Sequence, residues 1–532
     1  MARSVTRGLW IPGSAQSRGF ERGRLIRSAL EIGAAVGVGA VAAVAALSSI
    51  KDGLWADELW SLGVARIPAG QFWSTFVWGP ESNAVLYHAV LRGWLSVAGD
   101  LGMPSTEWVV RAPSALFAVA AALAVLAYGR RLSANPVVGI VAALVFAINP
   151  FVLDSAGNDA VSYSLALPLE IVSWLALTAM LVPQERSHRS RLGWWWFAYV
   201  FATAMALYAD QATLLAFVGQ ALWVSLLVIS ATRRRGLRPP WLGAWVRSAI
   251  LVCLLAAPLL ADVAVHGVRH SGVWAASAPD IVQMLSRLVG GQPVLLLGLA
   301  GAIGVALAAV TVWRRRRGAD EHLSATPEDR SRSSATLALI CWAVAPIVLV
   351  QLPGLSALFG LQSLVMAVPA ICLLAGLGAA SLPSRRSIAA SGIGLVCVAL
   401  IAVVDAPATQ APREDLRGAA MWVAARAQPG DGVVPLTPGA ALAMDEYEPA
   451  LVPPRTPGRM DWRTGQPGTL DSGNVATYAS GRHTVFLIAD VAEPQVVQVR
   501  AWFERNGYRL VAWHPEAGAF GPVVVFVYEA DR

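Results

Sequence analysis

Charged side chains are scarce in this 532-residue chain: Asp, Glu, Lys and Arg together make up 14% of it, against 56% hydrophobic residues. A soluble domain carries about a quarter charged residues, so the deficit excludes an ordinary water-soluble globule. The mean hydropathy of +0.55 points the same way. Lysine is nearly absent: Lys51 is the single one among 41 Lys and Arg residues, a bias that suggests a GC-rich genome, with an actinobacterial one as the expectation. Cysteine is sparse and scattered. Cys253, Cys341, Cys372 and Cys397 each lie inside an apolar run and form no CxxC pair, which excludes a disulfide framework and a zinc site. They serve as small apolar residues. No internal repeat is present to suggest a transporter assembled from two related halves. The net charge of +7 is not gathered on one face, so nucleic acid is excluded as a partner.

Long apolar runs are what the chain has instead. A helix needs roughly 20 mostly apolar residues to cross the hydrocarbon of a bilayer. On that criterion the sequence predicts about eleven spans: Ile32–Ile50, Trp108–Tyr128, Val137–Val152, Tyr163–Val182, Trp194–Tyr208, Thr213–Ile229, Ala249–Val265, Pro293–Val312, Ala335–Leu352, Ser356–Leu377 and Ile388–Val404. The arginines are an independent check on this count. Arg3, Arg7, Arg18, Arg22, Arg24 and Arg27 place the amino terminus in the cytoplasm. The later clusters, Arg130–Arg131, Arg186 to Arg191, Arg233 to Arg238, Arg314 to Arg317 and Arg385–Arg386, each follow an even-numbered span. An inside start returns the chain to the cytoplasm at those points. The first run is too long, and lacks the small-residue site, for a cleaved signal peptide. A multi-pass protein of a bacterial inner (plasma) membrane is the expectation.

Parity then puts two sizeable segments outside: the first loop, residues 51–107, and the tail, residues 405–532, which follows a membrane domain of residues 1–404. The tail reads as a small α/β domain, with helices near Leu416–Ala427 and Pro494–Asn506. Strands are expected near Gly432–Leu436, Thr484–Ala489, Arg509–Trp513 and Val523–Tyr528. A Pro/Gly-rich stretch from Pro449 to Gly468 separates the first strand from the rest.

Chemistry concentrates in the first outer loop. Trp55-Ala56-Asp57-Glu58-Leu59-Trp60 follows the first span directly, so two carboxylates sit near the outer bilayer surface. Adjacent residues do not share a helix face. One carboxylate can point into a cavity while the other ties down the loop; a solvated acidic pair at a helix end is the plain alternative. Trp73 and Trp78 rest on the membrane surface or stack on a sugar, and Trp194-Trp195-Trp196 fits an interfacial aromatic belt.

Further motifs follow in order: Glu81-Ser82-Asn83, Leu86-Tyr87-His88, Leu91-Arg92-Gly93-Trp94-Leu95, Arg111-Ala112-Pro113-Ser114-Ala115-Leu116, Asn149-Pro150-Phe151 and Asn158-Asp159-Ala160-Val161-Ser162-Tyr163. This series resembles membrane glycosyltransferases of the C fold class (GT-C), particularly the branch of protein O-mannosyltransferases and lipid A aminoarabinose transferases. Arg413-Glu414-Asp415-Leu416-Arg417-Gly418-Ala419-Ala420 in the tail is similar to the outer domain of bacterial members. The resemblance covers most of the chain. It implies a sugar donor linked to polyprenyl phosphate, an acceptor that is a glycan, glycolipid or secreted protein, and catalysis at the membrane. Such a donor has a good leaving group, so the reaction needs a base for the acceptor hydroxyl and positive charge for the departing phosphate. By resemblance Asp57 is the base, Glu58 orients it or the acceptor, and Asp159 polarises the acceptor or helps Asp57 hold a divalent ion. Substrate contacts are carried to Asn83, Tyr87, Arg111 and Tyr163. For Arg111, a buried structural ion pair or snorkelling to the interface stands as the alternative.

Two departures bear on this. Val161 stands where the family has an arginine, and Gln362, in Gly360-Leu361-Gln362-Ser363-Leu364, stands where relatives have another. The segment Leu207-Tyr208-Ala209-Asp210 also departs from the Thr-His that relatives often carry after Leu-Tyr. With those cations gone, phosphate binding falls to Arg269, Arg287, His266 or His270, or to a metal held by Asp57 and Asp159. The same departures leave a catalytically inactive relative, acting as an envelope scaffold or binding subunit, as the competing reading. A lipid or glycan transporter is a third, disfavoured because intramembrane charge is sparse.

Overall fold

The computed structural model describes residues 14–47, 53–76, 84–104, 106–133, 135–154, 161–182, 192–235, 239–266, 281–319, 327–352, 355, 359, 361–409, 415–453, 456–458, 460–461, 466–467, 472–490, 494–516 and 523–531. The polytopic helical membrane fold with a small α/β domain at its carboxy-terminal end, expected from the sequence, is what the chain adopts. Seven helical stretches among the described residues are long and apolar enough to cross a membrane: Ser28–Leu47, Glu107–Leu132, Tyr163–Leu181, Thr213–Arg233, Ser333–Val350, Leu361–Ala380 and Arg385–Val404. Shorter apolar helices cover Pro136–Ala147, Leu242–Leu255 and Pro293–Ala309. The chain is a multi-pass membrane protein.

The helices that matter for the site are α1 (Ser14–Leu47), α2 (Ala56–Arg66), α3 (Ala69–Phe76), α4 (Val85–Asp100), α5 (Glu107–Leu132), α6 (Pro136–Ala147), the single turn α7 (Pro150–Val152), α8 (Tyr163–Leu181), α9 (Leu192–Ala209) and α10 (Thr213–Arg235). They are followed by α11 (Leu242–Leu255), α12 (Ala257–His266), α13 (Ile281–Arg287), α14 (Pro293–Ala319) and α15 (Pro327–Val350). A 3-10 turn at Leu361–Ala367 leads into α16 (Val368–Ala380), and α17 (Arg385–Thr409) closes the membrane part.

Two expected spans are broken, each for a local reason. The third stops at Ala147 because the Asn149 side chain caps a new turn, accepting from the backbone N–H of Phe151 at 2.9 Å and of Val152 at 3.2 Å. Pro150 then takes the first helical position, where its missing N–H is not needed. The seventh divides at Ala256 into α11 and α12, since Pro258 has no N–H to donate backwards and its ring crowds the preceding turn.

Packing follows the membrane's demands. α5 lies against α6 and α8, α8 against α9, and α10 against α15. At the centre, Trp174 of α8 stacks on Trp342 of α15 with ring centroids 5.1 Å apart. The Trp342 indole N–H donates to Glu170 Oε1 at 2.6 Å, and the Tyr128 and Thr178 hydroxyls meet at 2.6 Å across α5 and α8. These contacts pair polar atoms across helices, away from water. On the outside the pattern inverts: Leu30, Val44, Leu297 and Val404 are exposed, as lipid-facing side chains should be.

The tail helices are α18 (Leu416–Ala424), α19 (Pro438–Tyr447), α20 (Ser472–Ala479) and α21 (Pro494–Arg505). The strands are β1 (Gly432–Pro435), β2 (Met460–Asp461), β3 (Gln466–Pro467), β4 (Thr484–Asp490), β5 (Tyr508–Glu516) and β6 (Val523–Ala530). The main sheet runs β1-β4-β6-β5; β1 is parallel to β4, and the other neighbours are antiparallel. β2 and β3 form a separate antiparallel pair. Alternate strand residues face opposite layers. Val485, Leu487, Val524 and Phe526 pack with Val496 and Phe503 of α21. Val433, Phe486, Ile488 and Val525 share the other layer with α18, α19 and, from the membrane part, Leu54, Leu59 and Leu62.

Candidate active site

α2 sits at one end of the bundle and carries both carboxylates in its first turn. The pair separates as adjacent helical residues must. Glu58 turns inward and is fully buried, where Oε1 accepts from Arg111 Nε and Oε2 from Arg111 Nη2, both at 2.6 Å. Its Oε2 also accepts the backbone N–H of Trp55 at 3.2 Å, a cap that starts the helix. Arg111 Nη2 donates in addition to the Gly53 carbonyl at 3.0 Å. Arg111 is thus held by Glu58 and the backbone, the arrangement of the ion-pair alternative. Asp57, half-buried, occupies the other side of the turn.

Asp57 has company. It lies within electrostatic reach of the Tyr163 hydroxyl at the start of α8, as does Asp210 from the turn between α9 and α10. Asp210 is buried; its Oδ1 accepts from the Ala212 backbone N–H at 2.7 Å and its Oδ2 from the Ser162 hydroxyl. Burial pushes the Asp210 carboxyl up to about 6, against the opposing pull of those two donors. Asp57 and Asp210, from separate stretches of chain, thus both act electrostatically on Tyr163. Asp210 escaped sequence reasoning as a site residue; its departure from the Thr-His of relatives was the only signal.

The other expected residues divide. Tyr87 is completely buried, its hydroxyl 3.3 Å from Ser114 Oγ, which donates to Ser164 Oγ at 3.0 Å. This hydroxyl chain ties α4 to α5 and α8, a place in the packing and not on a surface. Beside it, burial lowers the His88 imidazole to about 3, so it stays neutral at ordinary pH. Gln362 is half-buried in the 3-10 turn, which packs against α8, α10 and α13. Arg287, one of the candidate phosphate cations, pairs with Asp154 at 3.5 Å and stands over the Phe151 ring at 5.8 Å. Asn149 Nδ2 donates to the Leu288 carbonyl at 3.2 Å, so the Asn149-Pro150-Phe151 motif and the end of α13 are fastened together. Asn83, Asp159, Arg269 and His270 lie outside the described residues, as does the side chain of His266 at the end of α12. Among the described residues, no group of three His, Cys, Asp or Glu side chains is placed to hold a metal ion. Of the expected metal pair, only Asp57 is described.

No protein-family model matches the chain, and no curated protein matches it in sequence. Solved structures do match. ArnT from Cupriavidus metallidurans in the apo state superposes with a TM-score of 0.59 at 14% identity, over 93% of this chain and 98% of that one. The same protein bound to undecaprenyl phosphate gives 0.56 at 16% identity, over 92% and 97%. At that coverage the match includes the membrane part and reaches into the tail, so the chain shares the GT-C fold of ArnT over most of its length.

Proposed function

We propose that this chain is a membrane glycosyltransferase that moves a mannose- or arabinose-like sugar from a polyprenyl-phosphate donor to a glycan, glycolipid or protein acceptor at the outer face of a bacterial inner membrane. The observation that carries the proposal is the split of the Asp-Glu pair. Glu58 pairs with Arg111, while Asp57, on the other side of the turn, acts electrostatically on Tyr163, as Asp210 does. Its setting, in a fold shared with a protein that has been captured with undecaprenyl phosphate, supports a lipid-phosphate donor for this chain.

In this reading Asp57 takes the proton of the acceptor hydroxyl as its oxygen attacks the anomeric carbon. The bond from that carbon to the phosphate oxygen breaks, its electron pair leaves with polyprenyl phosphate, and the configuration inverts. A base acting in this way contributes about 100- to 10,000-fold in rate. Glu58 and Arg111 hold the first turn of α2, and so fix where Asp57 points. By the same resemblance Asp159 polarises the acceptor or helps Asp57 hold a divalent ion. Positive charge for the leaving phosphate comes from Arg269, Arg287, His266 or His270, which lie in one stretch of sequence. The amino terminus is cytoplasmic and the tail domain extracytoplasmic, as the alternating arginine clusters require.

Incubating the purified protein with radiolabelled polyprenyl-phosphate mannose and polyprenyl-phosphate arabinose tests the proposal. Release of free polyprenyl phosphate in an Asp57-dependent manner is the expected result. No turnover of either donor with an acceptor-rich envelope extract favours the inactive, scaffold reading prompted by Val161 and Gln362.

A further inference from the structure

The tail domain reaches the reacting turn directly. Tyr447, the last residue of α19, accepts the backbone N–H of Leu54 at 2.8 Å, three residues before Asp57. The same hydroxyl lies 3.5 Å from Glu107 Oε1, and Arg417 Nη1 of α18 pairs with that oxygen at 3.0 Å. Burial raises the Tyr447 hydroxyl well above its ordinary value, so it keeps its proton and donates it to Glu107 while accepting from Leu54. Glu107 and Arg111 stand one helical turn apart on α5, and neighbours at that spacing share a face. Arg111 in turn holds Glu58 and the Gly53 carbonyl. The hydrogen bonds therefore close a ring: Tyr447 to Glu107, along α5 to Arg111, on to Gly53 and Glu58, and back through Leu54 to Tyr447.

The surroundings fit a socket and not a chance contact. A Cβ on Gly53 would come within 2.6 Å of Arg417 Cβ, so the chain at this point fits only as glycine. Leu54, Leu59 and Leu62 share one apolar core with Ala443 and Met444 of α19. At the far end of α2, Arg66 forms a two-pronged ion pair with Glu446, the longer bond at 3.3 Å. Arg92 of α4 covers the last carbonyls, reaching Ala65 O at 3.1 Å and also Ile67 O.

We infer that Tyr447 is a positioning residue for Asp57: by closing this ring from the tail domain, it sets the orientation of the first turn of α2 on which the base is carried. The ring stands on its own geometry; only the identity of the group it orients rests on the proposed function.

Tyr447→Phe in the full-length protein removes one hydroxyl and leaves the ring and its packing. The amide protection of Leu54 to Leu59 against hydrogen exchange should fall, while that of β4 stays at the wild-type level. Donor turnover should drop about 10-fold in kcat with KM for donor unchanged, the scale of one lost hydrogen bond. In an Asp57→Asn background the same change should cost nothing further, because it acts through Asp57. Wild-type protection at Leu54 to Leu59 overturns the inference, whether or not the protein turns over donor. So does an equal loss of protection in β4, or an undiminished 10-fold loss in the Asp57→Asn background, since both describe a general structural role. Absence of turnover in wild-type protein with intact exchange coupling removes the proposed function and leaves the ring.

Discussion

Glu58 and Arg111 meet in a two-pronged ion pair, Nε to Oε1 and Nη2 to Oε2 at 2.6 Å each, with side chains 0% and 4% exposed. Removing one member of such a buried pair strands the other charge, at a cost of about 3–5 kcal/mol. Arg111→Ala should therefore lower the melting temperature in detergent sharply and reduce the amount of protein recovered from the membrane. Arg111→Lys should rescue little, because an ammonium cannot match both carboxylate oxygens. An Arg111→Ala protein that melts like wild type while losing donor affinity would return Arg111 to the phosphate.

Asp210 supplies a pH dependence with a definite sign. Its carboxyl titrates near 6 in the folded chain, above the ordinary value of 3.8. The folded state thus holds the proton more tightly than the unfolded one, and stability contributed by the protonated form is full below about 4 and lost as pH rises through 6. Melting temperatures of wild type and Asp210→Asn, measured from pH 4 to 8, should diverge in that direction: wild type loses ground to the variant as pH rises. Parallel curves would mean that Asp210 is ionised throughout.

Much of this was legible in the sequence, because a bilayer imposes a strong pattern. Apolar runs located most of the helices but not eleven full spans: among the described residues seven stretches are long and apolar enough to cross a membrane, and the expected third and seventh runs break at Asn149-Pro150 and Ala256, where a cap and a proline overrule the apolar run. Helix α19 was missed. It opens on Pro438-Gly439, which reads as loop, yet Pro438 occupies the first turn and Thr437 caps it, accepting from Ala440 N–H at 3.3 Å. The split of the Asp-Glu pair was foreseeable from helix geometry, but which carboxylate turned inward depended on Arg111, 53 residues away. Asp210 comes within electrostatic reach of Tyr163 through a tertiary approach that no local spacing reveals.

Gly290 ties α13 to the Asn149 turn. Its φ of +60° suits glycine, and a Cβ there would meet Pro150 Cβ at 2.4 Å. Gly290→Ala should destabilise the protein by about 1–3 kcal/mol and loosen both segments, read as increased hydrogen exchange at Phe151 and Val152. Unchanged exchange there would show that the turn does not depend on this contact.

The topology has its own check. Reporter fusions at Arg314 and at Arg532 should lie on opposite sides of the membrane, cytoplasmic and extracytoplasmic respectively. Both reporters on the same side would overturn the sidedness and, with it, the placing of α2 at the outer face.

The central claim is that Asp57 acts as a base while Glu58 only holds the turn. Asp57→Asn preserves size and hydrogen-bonding reach but removes basicity, so the measurement is donor turnover by purified Asp57→Asn protein beside wild type. The account predicts a rate lower by about 100- to 10,000-fold, with unchanged assembly in the membrane and unchanged binding of the donor lipid. Turnover at the wild-type rate would contradict it.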